Sequence, residues 1–313
     1  MAFIITWHII LFNTGDLIIE IKIEITRLIS RDISISILPK MDLPNEIIAV
    51  IFGYCNLPDQ LNLRIVNKQL SCFLEYIRID KQIKITNNDI DQFYFHLLTN
   101  IIIDDFLEEY PRHLTSLTFG SYFNQNIKDC IPVSVIHLIF GYCFNQDIKD
   151  CIPTSVTHLT FGYYFNQGIK SCIPPNVTHL TFGDCFNKYI KNCIPSSVTH
   201  LTFGYLFNQN INDCIPISVT HLTFGHRFNK DIKGCIPSNV THLAFGYWFN
   251  QNIKNCIPSS VTHLTFGYLF NQDIQNCIPA SVIHLTFDRK YDENIRNMVP
   301  STVTNLVFLE DKN

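Results

Sequence analysis

The sequence predicts an α/β repeat solenoid in which every turn contributes one short strand to a parallel sheet. Phenylalanines recur at a constant spacing of twenty-one positions, beginning with Phe119, Phe140 and Phe161 and ending with Phe308. The consensus V-T-H-L-T-F-G-x-x-F-N-x-x-I-x-x-C-I-P-x-S runs from about residue 111 to the end of this series without insertion. A constant period of this length marks stacked turns, because a single turn cannot bury its own apolar side chains.

The strand of each turn is predicted in the segment V-x-x-L-x-F. Leu159 and Phe161 are two residues apart, so they share one face, which we assign to the core. His158 and Thr160 occupy the opposite face. Gly162 then allows a sharp bend or a positive φ, and the chain leaves the sheet at this point.

The return segment of each turn is less regular. Phe165 and Ile169 are four residues apart, a spacing that fits one turn of helix or an irregular segment. Cys172 and Ile173 form the next inward pair, and Pro174 ends the segment before the following strand. Ten such strands, about 4.8 Å apart, would form a rod of about 45 Å.

The last turn departs from the consensus toward polar residues. Asp288 replaces the glycine, Asp292 the asparagine and Asn305 the histidine. Met298 replaces the cysteine, which indicates that this position takes an apolar side chain. Polar replacements at a terminus predict a capping turn whose outer face meets water.

The repeat resembles a known family. F-N followed by I-P, with L-T-F-G before it, recurs eight times almost unchanged, as at Phe144-Asn145 and Ile152-Pro153. This pattern is similar to the FNIP repeat, a leucine-rich-repeat-like family of amoebae and of giant viruses that infect them. The resemblance implies a binding solenoid over residues 111–310 with no known catalytic residues.

A different pattern occupies residues 41–79. Two apolar helical stretches flank a turn at 56–59, and the first opens with L-P-N-E-I-I-A-V-I-F. This segment resembles an F-box, although a helical hairpin that only caps the solenoid would show the same periodicity. The F-box resemblance implies docking on the Skp-type adaptor of a cullin–RING ubiquitin ligase. By position, the adaptor contacts would be Leu43, Pro44, Ile47, Ile51 and Phe52.

The flanking segments are harder to assign. Residues 1–40 are rich in isoleucine, and the alternation from Ile19 to Ile25 predicts a strand with no evident pairing partner. Met41 is placed to begin an F-box, so residues 1–40 are an N-terminal extension whose translation is in question. Residues 80–110 are expected to form a helical linker into the first turn.

Composition excludes several functions. The net charge is −4 and charged residues make up 16% of the chain, so neither nucleic acid nor an anionic membrane is an expected partner. No apolar run approaches the length of a spanning helix, and the first ten residues lack the basic and cleavage features of a signal peptide. Catalytic motifs are absent, so we expect neither an enzyme nor a cofactor. The F-box resemblance implies a cytoplasmic protein, in the host cytoplasm if it is viral.

Three rows of identical residues run through the repeat. The histidine row has two interpretations, an array of metal sites or a stack of neutral imidazoles. Because zinc prefers mixed ligands in tetrahedral order, the stack is favoured. Such a stack predicts depressed pKa values and lower stability in mild acid. The cysteine row admits disulfides or buried thiols, and a reducing cytosol favours thiols. The asparagine row predicts an amide ladder that satisfies backbone groups. The rows are His137, His158, His179, His200, His221, His242, His263 and His284; Cys130, Cys151, Cys172, Cys193, Cys214, Cys235, Cys256 and Cys277; and the asparagines from Asn124 to Asn271.

The two positions after the glycine vary most and are rich in Tyr, Trp and Arg, the residues that dominate binding hot spots. The alternative is that these tyrosines pack on one another. The candidate target-binding residues are Tyr142, Tyr164, Tyr205, Arg227, Tyr247, Trp248 and Tyr268.

Two functions remain open. In one, the solenoid selects a target protein of unknown identity and the F-box delivers it to a ubiquitin ligase through the host's Skp-type adaptor and cullin complex. In the other, the helices are only a cap and the chain is a binding scaffold or decoy.

Overall fold

The computed structural model describes residues 2–6, 24–28, 82–89, 98–288, 295 and 297–309. The chain divides into two compact units, residues 1–73 and 74–313. In the first unit, β1 (Ala2–Thr6) pairs antiparallel with β2 (Glu24–Leu28). Strand β2 thus overlaps the C-terminal end of the strand that the sequence predicts from Ile19 to Ile25. The expectation that it has no partner is wrong, because the apolar residues 2–6 supply one.

The second unit contains one parallel sheet of twelve strands, whose spatial order is the order along the chain. This arrangement confirms the predicted solenoid. The strands are β3 (Ile83–Ile85), β4 (Asn100–Ile103), β5 (Ser116–Phe119), β6 (His137–Ile139), β7 (His158–Thr160), β8 (His179–Thr181), β9 (His200–Thr202), β10 (His221–Thr223), β11 (His242–Ala244), β12 (His263–Phe266), β13 (His284–Phe287) and β14 (Asn305–Phe308).

The segment 80–110 differs from the helical linker that the sequence predicts. Its described residues contain a short 3-10 helix (Asn87–Asp89) and strands β3 and β4, which begin the solenoid sheet. Ile101 pairs with Ile83 on one side and with Leu117 on the other. Both pairs are closer in sequence than paired residues of later strands, so the first two turns are shorter than the repeat. The alternating isoleucines bury one face of each strand, with Ile101 fully buried.

From β5 onward the register follows the repeat, with leucine opposite leucine throughout and histidine opposite histidine from β6 to β13. Most turns of the repeat place two phenylalanines in the core, together with a valine, a leucine and one or two isoleucines. Phe161 and Phe165 stack with ring centroids 4.0 Å apart, and Phe161 lies 5.8 Å from Phe182 of the next turn. Full burial of such a side chain contributes about 1.5–3 kcal/mol. The core therefore depends on stacking of successive turns.

The return segments within 98–288 consist of turns and irregular backbone, so Phe165 and Ile169 do not lie on a helix. The residue before the cysteine takes a left-handed conformation, as Asp150 and Asn192 do at a φ of 58°. Asp and Asn tolerate this region better than most residues, which explains their frequency here. Ser171 adopts the same φ in its turn.

The last turn fits a terminal position. Leu306 and Phe308 are half-buried, whereas the equivalent Leu285 and Phe287 of the preceding turn are buried. Asn305 hydrogen-bonds His284 at 3.0 Å and so ends the histidine row with a polar group. Met298 is 38% exposed, so it is less buried than the cysteine of the preceding turn. Asp292 lies outside the described residues.

Candidate binding surface of the solenoid

The surface lies where the chain leaves each strand, and glycine determines its backbone. A Cβ on Gly162 would collide with the carbonyl oxygen of Gly141 in the preceding turn. Close approach between turns, and not a positive φ, therefore explains the glycine. Two residues later the backbone N–H donates to a carbonyl of the preceding turn, as from Tyr164 to Tyr142 at 3.0 Å and from Leu206 to Asp184 at 2.7 Å.

We call the residues directly after the glycine the inner row. Tyr142 stacks on Tyr163 with ring centroids 4.6 Å apart. Asp184 interrupts the aromatic series. A second stack follows, in which His226 lies 4.2 Å from Tyr205 and 4.7 Å from Tyr247. The inner row is Ser121, Tyr142, Tyr163, Asp184, Tyr205, His226, Tyr247 and Tyr268.

We call the next residue of each turn the outer row. Tyr122 is 88% exposed, Tyr164 47% and Trp248 48%. Tyr164 packs edge-on against Tyr142 and Tyr163, with centroids 5.1 and 5.0 Å away. The outer row is Tyr122, Cys143, Tyr164, Cys185, Leu206, Arg227, Trp248 and Leu269.

The seven candidate residues predicted from the sequence all lie in these two rows. The guanidinium of Arg227 lies 5.8 Å from the ring centre of Tyr205, within the range of a cation–π contact. Tyr268 stacks on Tyr247 at 5.0 Å. The alternative, that the tyrosines pack on one another, describes the ring contacts of the inner row. Tyr142 of that row is nevertheless 49% exposed, as much as Tyr164 and Trp248 of the outer row. Tyr122, which is 88% exposed, is not among the seven candidates predicted from the sequence.

The electrostatics of the two rows are simple. Burial raises the pKa of Tyr142, and the neighbouring Tyr164 and Tyr163 raise it further, so its hydroxyl is a neutral donor. Burial and then the charge of Arg227 lower the pKa of His226, which is therefore neutral at pH 7. Asp184 is the anion and Arg227 the cation among the sixteen positions. The surface is aromatic and nearly uncharged, which suits binding rather than proton transfer.

The histidine row forms the predicted stack on the outer strand face. Neighbouring rings from His158 to His263 lie 4.1 Å apart. Burial lowers the pKa of His158, and the neighbouring His179 and His137 lower it further. The pKa values of His200, His221, His242 and His263 are lowered by the same causes. No group of three or more metal-ligating side chains in the described residues is arranged to hold an ion.

Threonine hydroxyls fix the orientation of these rings. The Thr178 hydroxyl donates to the Thr157 carbonyl at 3.2 Å and lies 2.9 Å from Nδ1 of His179. Each hydroxyl therefore lies between a carbonyl of the preceding turn and the ring nitrogen of the next residue, and this contact holds the ring in place.

The cysteine row consists of free thiols, as the sequence predicts. Cys172 and Cys193 are buried, and each thiol donates to the carbonyl two residues earlier, at 3.3 and 3.4 Å. Burial raises the pKa of both thiols, so they stay protonated at neutral pH. These cysteines fill space and carry no nucleophile.

The asparagine row forms the predicted amide ladder. The side-chain oxygen of Asn187 accepts the backbone N–H of Asn208 at 3.0 Å, and Asn208 accepts that of Asn229 at 3.0 Å. Gln209 adds a side-chain bond to the Asn187 oxygen at 2.9 Å. The ladder stabilises the coil along its axis.

The predicted adaptor contacts lie outside the described residues. Leu43, Pro44, Ile47, Ile51 and Phe52 all belong to this set. Among the residues that the structure does describe, no helix is long and apolar enough to cross a bilayer.

Comparison with protein families assigns both parts of the sequence. The FNIP Repeat model matches residues 107–143, 144–185, 165–206, 186–227, 207–248, 228–269, 249–290 and 270–311. The F-box domain model matches residues 41–81. A comparison with curated proteins finds no significant match. Modules of both kinds typically mediate interactions and are not catalytic.

Proposed function

The chain belongs to the FNIP repeat family, and from this membership and its F-box we propose that it is the substrate-recognition subunit of a cullin–RING ubiquitin ligase of the SCF type. The observation that carries the proposal is the combination of an adaptor-docking module at 41–81 with a repeat array at 107–311 in one chain. The isopeptide chemistry belongs to partner subunits.

The adaptor side of the proposal rests on the helix pattern at the start of the F-box. Leu43, Pro44, Ile47, Ile51 and Phe52 would contact the Skp-type adaptor, which joins the F-box to the cullin. Ile47 and Ile51 are four residues apart, so on a helix they share one face. A charge at these positions would be desolvated in an apolar interface at a cost of several kcal/mol.

The target side rests on the inner and outer rows. Arg227 and Trp248 are the residues we propose to contribute most, because Arg and Trp are enriched at binding hot spots and both are exposed here. The proposed location is the cytoplasm, where ubiquitin ligases act and where the free thiols of the solenoid would stay reduced.

A co-precipitation from host-like cell extract tests the ligase link. The full chain is compared with Ile47→Asp/Ile51→Asp, and the readout is the bound Skp-type adaptor and cullin. A control variant, Val133→Asp/Ile217→Asp, changes two residues of the solenoid that are 83% and 59% exposed. We expect adaptor and cullin with the wild type and the control, and neither with the F-box variant. Absence of adaptor from all three folded proteins would leave a scaffold or decoy whose helices only cap the solenoid.

A further inference from the structure

The inner row contains one gap in an otherwise aromatic stack. Tyr163 ends the first stack on one side of Asp184, and Tyr205 begins the second stack on the other side. Tyr164 lies 5.0 Å from Tyr163 and 5.1 Å from Tyr142, so it packs beside the first stack and not over its end. The carboxylate of Asp184 thus stands where a continuous stack would have a ring.

The exposed fractions of the rings agree with open faces at the gap. Tyr163 is 38% exposed and Tyr205 is 40% exposed. His226 and Tyr247, which have a ring on each side, are less exposed. The two tyrosines that flank Asp184 therefore each present a face that no other ring of the row covers.

The gap has the width of one flat group. Rings one turn apart within the stacks lie 4.2 to 5.0 Å from each other. Tyr163 and Tyr205 belong to turns two apart, so their rings are separated by about 9 Å. A planar group midway between them would lie about 4.5 Å from each ring, within the range of stacking and cation–π contacts.

The carboxylate at the gap has no counterion among the residues that the structure describes. Its Oδ1 atom accepts the backbone N–H of Tyr205 at 3.2 Å. The guanidinium of Arg227, the cation of the two rows, lies 5.8 Å from the ring centre of Tyr205 and forms no ion pair with Asp184. A carboxylate has about four acceptor positions, so Asp184 can accept further hydrogen bonds from a ligand.

A guanidinium group fits both the gap and its charge. It is planar and stacks on aromatic faces, it is always charged, and its N–H fork matches the two oxygens of a carboxylate. An ammonium group is compact and has no face to stack. A neutral aromatic ring would stack, but it would desolvate the carboxylate without donating a hydrogen bond to it.

We propose that the gap between Tyr163 and Tyr205 binds an exposed arginine side chain of the target, whose guanidinium stacks between the two rings and pairs with Asp184. The inference rests on the proposed function insofar as this arginine belongs to the target. The bound guanidinium would join the two aromatic stacks of the inner row into one.

Saturation-transfer NMR with the full chain and short peptides tests this proposal, because the method detects weak ligands. The probe is acetyl-Gly-Ser-Arg-Ser-Gly-amide. In the comparison probes the arginine is replaced by lysine, which keeps the charge without the plane, by citrulline, which keeps the plane without the charge, or by phenylalanine. We expect the arginine peptide to bind about 10-fold tighter than each comparison probe.

Substitutions then locate the site. Asp184→Asn keeps the shape and removes the charge, so it should weaken binding of the arginine peptide about 10-fold. Asp184→Tyr fills the gap with the residue that most turns carry in the inner row, so it should abolish binding. Tyr205→Ser removes one ring and should weaken binding about 5-fold. The control Asp150→Asn makes the same chemical change at an exposed residue whose equivalent in another turn is Asn192, and it should leave binding unchanged.

Equal binding of the arginine and lysine peptides, or of the arginine and citrulline peptides, would overturn the proposal. So would tighter binding of the phenylalanine peptide, undiminished binding by Asp184→Tyr, or undiminished binding by Tyr205→Ser. Circular dichroism verifies that each variant is folded, and adaptor binding is measured separately on the same preparations. A peptide failure with intact adaptor binding therefore leaves the ligase proposal standing, and the reverse result leaves the arginine site standing.

Discussion

Replacing Gly204 by alanine should be among the most damaging small substitutions in the solenoid. The added Cβ would lie 2.1 Å from the carbonyl oxygen of Gly183 and 2.7 Å from Cα of Asp184. Both are backbone atoms of the preceding turn, so no side-chain rotation relieves the collision. Because an ordinary contact begins at 3.4 Å, the backbones of the two turns would have to move apart.

The cost follows from what that movement breaks. Leu206 donates to Asp184 at 2.7 Å, and Phe182 donates to Thr202 at 2.9 Å, across the same pair of turns. Lengthening both bonds beyond useful range costs about 1 kcal/mol each. Strain from overpacking adds about 1–3 kcal/mol. We therefore expect a loss of about 3–5 kcal/mol in the free energy of unfolding.

Urea unfolding followed by circular dichroism measures this loss, with Gly168→Ala as the matched control. A Cβ on Gly168 meets no atom within 4 Å. The control should therefore be neutral or stabilising by up to about 1 kcal/mol, because alanine restricts the unfolded chain. If Gly204→Ala unfolds at the wild-type urea concentration, the close approach of successive turns is not what selects glycine, and the reasoning fails.

Three further predictions concern the ladders and the return segment. The histidines whose pKa is lowered from 6.5 stay neutral in the fold at pH values where the unfolded chain binds protons. The free energy of unfolding should therefore fall as the pH is lowered below 6.5, the ordinary pKa of histidine, and these histidines should not change it above that value. Equal urea midpoints at pH 7.5 and 5 would contradict this. Asn208→Ala leaves the N–H of Asn229 without its acceptor and should cost about 1–3 kcal/mol in urea unfolding, whereas Asn212→Ala on the exposed surface should cost little. Ser171 has a φ of 58°, which asparagine tolerates better than serine. Ser171→Asn should therefore raise the thermal midpoint by an amount equivalent to about 0.5–1 kcal/mol. An unchanged midpoint would argue against strain at this residue.

The period of the repeat was sufficient to predict most of the fold. Because the pair Leu159 and Phe161 recurs once in every turn, inward residues, strand position and parallel register all follow from one turn. The first two strands were missed because their offsets are shorter than the period and their sequences lack the motif. The reason for Gly162 was also missed, since close approach between turns depends on coordinates that a strand pattern does not contain.

The candidate surface was predicted only in part. The two rows can be recognised in the sequence because their residues vary from turn to turn and are often aromatic. The positions that hold successive turns together are, in contrast, nearly identical in every turn. Which rings stack and which are exposed depends on side-chain direction. Tyr163 stacks on Tyr142, whereas Tyr164 turns edge-on to both, although the two residues are adjacent in sequence.

Ubiquitin carried by captured proteins tests the ligase function most directly. The full chain and its Ile47→Asp/Ile51→Asp variant are expressed in host-like cells with the proteasome blocked, and co-precipitated proteins are analysed for ubiquitin conjugates. We predict that both forms capture the same target, that it is ubiquitylated with the wild type, and that it is unmodified with the variant. Equal ubiquitylation of the captured target with both forms would contradict a role as a ligase receptor.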